Sequence, residues 1–331
     1  MRRSVAGILL VLSSLAAFAT PATAPAVGLT QKPCAGAVSG PVVWKTFRAH
    51  VLENLLFAYG SLWVSDQTGD RVMRISPGRA TQGSVAVSAP GGLVVGPEGL
   101  IYAGWGDSVE GALLKRGTAK VVRFDAADPA GTMSDYAAGF DMANGVTFAP
   151  NGDLFVSNDV GNGPIRIPRA NPSAWASFGD VWGTNGLVVD PAGENLYAAI
   201  TFDQRSPIER IPLANPAAHQ TAVVLSAGVV SLQPAINLPL HAFKPLLGVK
   251  GLDDMTRTAD GTLYVVANGM GELLRVNPIT GAACLVAKGF VNPSSVRIAP
   301  TGSPFATTGK AITFYVTEFS GNIRVVGYSP A

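Results

Sequence analysis

The chain carries little charge and few of the residues that usually bind nucleic acid or soft metals. Asp, Glu, Lys and Arg make up only 14% of its 331 residues, and the net charge is +2. No basic run is present, so we expect no nucleic-acid partner. The histidines, His50, His219 and His241, fall in no catalytic motif. A Gly-x-Ser-x-Gly elbow is also absent, which argues against a serine nucleophile.

Long apolar runs are absent except at the N-terminus. There, Arg2–Arg3 precedes the apolar stretch Val5–Ala19, and the small residues Ala22–Ala24 follow it. This order predicts a secretory signal peptide over residues 1–24, since the run is short for a transmembrane anchor. We therefore expect a secreted protein, in an extracellular or periplasm-like compartment, that makes no membrane contact after cleavage.

Glycine and proline are abundant, with 38 and 24 residues, and they require many turns. One sequence pattern recurs along the chain: a polar residue, an apolar strand, a glycine turn and a second apolar strand. Clear copies span Met142–Asp159, Thr184–Ile200 and Leu252–Asn268, and looser copies begin at Glu53, at Gly91 and near Ser294. Six copies spaced about forty to seventy residues apart predict an all-β, six-bladed β-propeller over residues 42–331.

The two ends of the chain suggest how such a ring closes. Residues 25–41 are rich in Pro, Ala and Gly and are expected to be irregular, whereas Val42–Phe47 reads as a strand. The last copy lacks an outer strand after Asn322–Tyr328. We therefore predict that Val42–Phe47 pairs there and protects both edges.

Only two cysteines occur, Cys34 and Cys284. An even count in an exported chain favours one disulfide, which would staple the N-terminal segment to the propeller wall. Two separate buried thiols are the alternative.

Two segments interrupt the repeat. Trp105–Thr118 lengthens the second copy, and Ala214–Lys250 is a longer, apolar insertion. The longer one is compatible with a lid over a pocket, and equally with an outer strand followed by a packed crossing loop.

Aligning the copies shows which residue stands before each inner strand. The residues are Glu53, Gly91, Asn144, Asn185, Asp253 and Ser294. Inner strands line the central channel, so these positions share one end of it. Two carboxylates and two amides form an all-oxygen set that suits a divalent cation, most of all Ca²⁺. Each Asn or Asp taken alone is more readily explained as a turn residue.

These positions resemble those of the senescence marker protein/gluconolactonase/luciferin-regenerating enzyme family, whose members are six-bladed propellers with a divalent cation at the channel mouth. The resemblance implies that Glu53, Asn185 and Asp253 hold the metal and that Asn144 contacts the metal or the substrate. It also implies that Asp253 acts as general base in lactone hydrolysis. Asp254 replaces the usual glycine and is a possible extra ligand.

The expected function is therefore a metal-dependent hydrolase of lactones or related esters, with a small-molecule substrate. A propeller that binds a ligand or protein without catalysis, using the ion only for rigidity, is the main alternative. A lyase or synthase on the same scaffold is a third.

Overall fold

A computed structural model describes residues 31–203, 205–225 and 250–331 of the 331-residue chain. The predicted signal peptide lies outside these ranges, and so does most of the Ala214–Lys250 insertion. The possible lid formed by that insertion therefore falls outside the described residues. Within them, no helix is both long and apolar enough to cross a bilayer.

Over the described residues, the strands form six antiparallel sheets of four strands each. Blade 1 contains β2 (Leu52–Ala58), β3 (Ser61–Asp66), β4 (Arg71–Ile75) and β5 (Thr81–Ala86). Blade 2 contains β6 (Pro90–Val95), β7 (Ile101–Trp105), β8 (Ala119–Phe124) and β9 (Ser134–Phe140). Blade 3 contains β10 (Val146–Phe148), β11 (Leu154–Val156), β12 (Asn162–Ile167) and β13 (Ala176–Trp182).

Blade 4 contains β14 (Thr184–Val189), β15 (Asn195–Ile200), β16 (Pro207–Pro212) and β17 (Gln220–Val224). Blade 5 contains β18 (Leu252–Arg257), β19 (Leu263–Ala267), β20 (Glu272–Val276) and β21 (Ala283–Lys288). Blade 6 contains β22 (Pro293–Ile298), β23 (Ile312–Glu318), β24 (Asn322–Pro330) and β1 (Gly36–Thr46). The chain is a six-bladed β-propeller, as the repeat predicts.

Blade 6 takes its outermost strand from the other end of the chain. β1 pairs antiparallel with β24, with Val42 opposite Val325 and Thr46 opposite Asn322. The predicted closure is confirmed. The strand is longer than expected, because it begins at Gly36, inside the segment expected to be irregular. The segment that begins at Gly36 is ordered because β24 extends to Pro330 and pairs with it along this whole length.

The interruptions of the repeat contain short elements. Helix α1 (Val109–Leu113) lies in the first one, with Ser108 as its N-cap. Helix α2 (Pro129–Thr132) and the 3₁₀ turns Pro172–Ala174 and Pro216–Ala218 precede outer strands. The start of the Ala214–Lys250 insertion supplies β17, which is the outer strand of blade 4.

The core is divided among the blade interfaces. Each buried apolar cluster combines side chains from two neighbouring blades, so no blade buries its faces alone. At the closing interface, Trp44 from β1 packs edge-on against Tyr315, with ring centroids 5.3 Å apart. Leu52 and Leu55 of blade 1 belong to the same cluster. The strand that closes the ring therefore also contributes to its core.

The predicted disulfide joins Cys34 and Cys284, whose Cα atoms are 4.9 Å apart. Beside it, the Cys34 N–H donates to the carbonyl oxygen of Leu285, and the Leu285 N–H donates to that of Lys32, both at 2.8 Å. The N-terminal segment is thus fixed to blade 5 before it enters blade 6 as β1.

We expect the Cys34→Ser/Cys284→Ser variant to lose about 3–5 kcal/mol of unfolding free energy, because the disulfide restricts the unfolded chain. The loop that it closes spans 250 residues. Urea unfolding followed by tryptophan fluorescence measures the loss. Dithiothreitol should destabilise the wild-type protein and leave the double variant unchanged. Equal unfolding midpoints for the two proteins would contradict this role.

Candidate metal centre at the channel mouth

The strand registers define the two ends of the central channel. Leu52 lies opposite Asp66, and Leu252 lies opposite Ala267. In each blade, the first strand therefore begins at the same end of the channel at which the second strand finishes. We refer to this end as the mouth and to the other as the basal end.

Four side chains that the sequence predicts for the mouth are buried there. Glu53, Asn185 and Asp253 are each 4% exposed and Asn144 is 5% exposed. Glu53, Asn185 and Asp253 occupy the second position of β2, β14 and β18, and Asn144 lies just before β10. The alignment of the repeats thus assigned equivalent places to all four.

Close approach of neighbouring blades explains the glycine that follows each Asn. A Cβ on Gly145 would lie 2.6 Å from the backbone oxygen of Asn185, and one on Gly186 would lie 2.6 Å from that of Asp253. Both distances are too short for any side chain. The Asn-Gly pairs therefore serve contact between inner strands, which contradicts the turn explanation for these pairs.

Two further carboxyls at the mouth, whose charges act on Glu53, were not predicted from the sequence. Asp107 follows β7 and Asp159 follows β11, and both are buried. They lie where second strands finish, whereas the alignment compared only the starts of first strands. Asp107 also falls inside the Trp105–Thr118 interruption, where the repeat gives no guide. Counting polar residues at the ends of the second strands would have found Asp159.

Hydrogen bonds hold Asp253 and leave one of its oxygens free. Asn268 donates from Nδ2 to Asp253 Oδ2 at 3.1 Å, and Asn292 donates to Asn268 Oδ1 at 3.0 Å. The other oxygen, Asp253 Oδ1, is buried without a hydrogen-bond partner. A buried acceptor without a partner is costly, and a bound cation would satisfy it.

The amide of Asn185 is oriented in the same way. Its Nδ2 donates to Thr201 Oγ1 at 3.0 Å, and Thr201 donates in turn to the Leu252 carbonyl at 2.9 Å. The side-chain carbonyl oxygen of Asn185 is therefore the end of the amide that lies away from these two hydrogen bonds. Thr184 Oγ1, on the preceding residue, and Asp159 Oδ1, after β11 of blade 3, are also buried and have no hydrogen-bond partner. Among the described residues, the mouth thus contains two buried carboxyl oxygens, on Asp159 and Asp253, that accept no hydrogen bond.

Burial sets the charge state of these carboxyls. It raises the pKa of Glu53 well above the ordinary value, and the charge of Asp253 adds to the effect. Burial followed by the charge of Asp254 raises the pKa of Asp253, and burial followed by the charge of Asp159 raises that of Asp107. Burial alone raises the pKa of Asp159 to about 7. The carboxyls are close enough to repel one another, and no Lys or Arg of the described residues is among the groups that shift their pKa values.

The donor set fits a hard cation only if the amides take part. Among the described residues, no three Asp, Glu, His or Cys side chains are placed so that they alone could hold a metal ion. Glu53 and Asp253 would therefore need the amide oxygens of Asn144 and Asn185. Such a mixture of carboxylate and amide oxygens is a Ca²⁺ ligand set.

Asp254 has other partners than those expected of a metal ligand. Its Oδ1 accepts from the Met255 N–H at 2.8 Å, and its Oδ2 accepts from Asn54 Nδ2 at 2.9 Å. Ser295 Oγ and Arg297 Nη1 also donate to Oδ2, each at 2.5 Å. These contacts favour a structural ion pair between neighbouring blades over the extra-ligand role.

The two histidines that the structure describes lie apart from the metal-ligand positions. His50 Nδ1 lies 2.9 Å from Oδ1 of the buried Asp66, and His219 Nδ1 lies 3.7 Å from Glu209 Oε2. His241 lies outside the described residues.

Comparisons with known proteins support the fold. No protein-family profile and no curated protein sequence matches the chain. A presumed gluconolactonase of known structure is similar, with 15% identity and a TM-score of 0.58, over 90% of this chain and 94% of its own. An inactive histidine-to-alanine variant of virginiamycin B lyase from Staphylococcus aureus, solved with quinupristin, gives 12% identity and a TM-score of 0.55, over 88% and 99%.

The aldose sugar dehydrogenase of Streptomyces coelicolor, bound to PQQ, is also similar, with 14% identity and a TM-score of 0.57 over 90% of this chain and all of its own. At such identities the likeness shows the propeller fold. It covers proteins with three different chemistries, so the function must be argued from the mouth itself.

The raised pKa values predict how calcium changes stability with pH. A carboxyl with a raised pKa holds its proton more tightly when folded, so stability falls as pH rises between the two pKa values. For Asp159 this interval runs from 3.8 to about 7. We expect the melting temperature in EGTA to fall across it, and calcium to restore most of the loss at the upper end.

Melting temperatures measured in EGTA and in calcium at each pH test this expectation. The Asp159→Asn variant should show a shallower fall in EGTA. Identical pH profiles with and without calcium would contradict cation binding at the mouth.

Proposed function

We propose that the protein is a secreted, metal-dependent hydrolase of lactones or related esters, with its active site at the mouth. The observation that carries the proposal is the free oxygen of Asp253, which is buried beside Glu53 and is held in place from behind by Asn268. The similarity in fold to a presumed gluconolactonase supports it. The disulfide is compatible with an oxidising compartment.

Glu53, Asn185 and Asp253 would hold the divalent cation, with Ca²⁺ as the best match to their oxygens. When bound, the cation supplies Lewis acidity toward a carbonyl oxygen. Asn144 is buried at the same rim and would orient the substrate carbonyl through its amide. Asp253, fixed through Oδ2, would take a proton from the attacking water. The water oxygen then bonds to the acyl carbon, the ring C–O bond breaks, and the proton passes to the leaving oxygen.

Apolar side chains on the mouth loops favour an apolar substrate. Trp182, Met270 and Phe319 are each more than one-third exposed, and each lies where a strand finishes or turns at the mouth. Burial of such exposed apolar surface against an alkyl group is favourable. A lactone with an alkyl arm would bury this surface, which a sugar lactone would not.

Binding without catalysis is the alternative, with the ion only stiffening the channel. It predicts the same metal affinity and no turnover. A lyase is less favoured: a histidine-to-alanine change inactivates the similar virginiamycin B lyase, whereas the described histidines here engage Asp66 and Glu209.

Asp253→Asn should reduce kcat/KM for lactone hydrolysis by at least about a hundredfold, because it removes both the proposed base and a charged ligand. Asn144→Ala should lower kcat/KM while changing the calcium Kd less. Calorimetric calcium titration and a pH-indicator assay of lactone opening measure the two effects. Asp135→Asn, on an outer strand, is the control.

Full activity of Asp253→Asn would refute the catalytic role. Tight calcium binding by the wild-type protein, without turnover of any lactone or ester, would favour the binding alternative.

The substrate preference can be tested separately. We expect kcat/KM to rise with alkyl length in a series of γ-lactones, and Phe319→Ser to weaken that rise. Ile279→Ser is the matched control, because Ile279 is exposed on a turn at the basal end. A flat series, or an equal effect of both variants, would contradict an apolar substrate.

A further inference from the structure

A cavity separate from the mouth lies at the basal end of the channel. It encloses about 440 Å³ and is lined from every blade. Its walls include Leu56, Leu93, Phe148, Val189, Arg257 and Arg297. We call this space the basal cavity. Its size is typical of small-molecule sites, and it lies at the end opposite the buried carboxyls.

A hydrogen-bonded layer separates the basal cavity from the mouth. Arg297 donates from Nη1 to Asp254 and to the Val296 carbonyl, and from Nη2 to Asn54 Oδ1 at 3.2 Å. Asn54 and Asp254 each come one residue after the mouth positions Glu53 and Asp253. The buried carboxyls therefore lie on the mouth side of these hydrogen bonds, and the basal cavity lies on the other side.

The polar groups of the basal cavity offer donors. Arg257 donates from Nε to the Val189 carbonyl at 2.7 Å. Neither Arg257 Nη2 nor Arg297 Nε donates a hydrogen bond to any of the described residues. Asp190 also lines the cavity, but its oxygens accept from the Glu194 N–H and from Asn195 Nδ2.

Two guanidinium groups with free N–H donors therefore face a cavity whose lining residues are mostly apolar, although polar atoms make up about half of its exposed surface. Arg297 is neutralised by Asp254, while Arg257 forms no ion pair among the described residues. Guanidinium groups bind carboxylates strongly, and more so where water is scarce. An alkyl group would occupy the rest of the space.

We propose that the basal cavity binds a small apolar carboxylate, with its alkyl chain against the blade walls and its carboxylate on Arg257 and Arg297. This site goes beyond the proposed hydrolase and needs no metal. It would give the protein a second ligand, held at the face opposite the mouth.

Isothermal titration calorimetry in EGTA tests the proposal, with octanoate as the probe and 1-octanol as its neutral counterpart. We expect octanoate to bind at least about tenfold more tightly than 1-octanol, and Arg257→Gln to weaken octanoate by about tenfold. Arg275→Gln, on β20 of the same blade and outside the cavity lining, should leave the affinity unchanged.

Val94→Trp narrows the basal cavity from a half-buried position and should abolish binding. Its melting temperature is measured in parallel, because Val94 also packs against the apolar cluster between blades 2 and 3. Asp253→Asn should bind octanoate as the wild-type protein does, which separates this site from the mouth. No binding by the wild-type protein, equal affinity for 1-octanol, or an unchanged Arg257→Gln variant would overturn the proposal.

Discussion

Pairing of β1 with β24 is the interaction on which the rest of the structure depends. Each blade buries its faces only against its neighbours, so an open ring would expose the clusters on both sides of the gap. β1 closes the last sheet and adds Trp44 to the core between blades 6 and 1. The disulfide at Cys34 secures the approach to this strand. The N-terminal segment therefore belongs to the fold as a structural element.

Closure also creates the chemistry of the mouth. The inner strands approach until Gly145 and Gly186 contact the backbone of the next blade, and this crowding excludes water from the side chains between them. Glu53 and Asp253 are buried as a consequence, and their pKa values rise. Without a bound cation, these carboxyls therefore keep their protons to higher pH than exposed ones do. A cation at the mouth would neutralise the ionised carboxylates of Glu53 and Asp253. Arg297 neutralises the carboxylate of Asp254 in this way, one layer deeper in the channel.

Most of the fold was predictable because the repeat is regular and each copy carries its own turn glycine. The closure and the disulfide followed from a missing outer strand and an even cysteine count. The early start of β1 at Gly36 was missed, because Pro and Gly suggest coil when the edge that orders them is not known. At the mouth, repeat alignment found residues at equivalent positions. It could not find Asp107, which lies in an interruption, or the Asp254–Arg297 pair, whose members come from different blades.

We propose that the buried carboxyls and amides of the mouth form a single cation site. Anomalous diffraction at long wavelength from crystals grown in calcium tests it most directly. We expect one strong peak at the mouth, about 2.3–2.6 Å from Glu53, Asn185 and Asp253 oxygens, and its loss in Asp253→Asn crystals. A mouth that contains only water at saturating calcium would contradict the account.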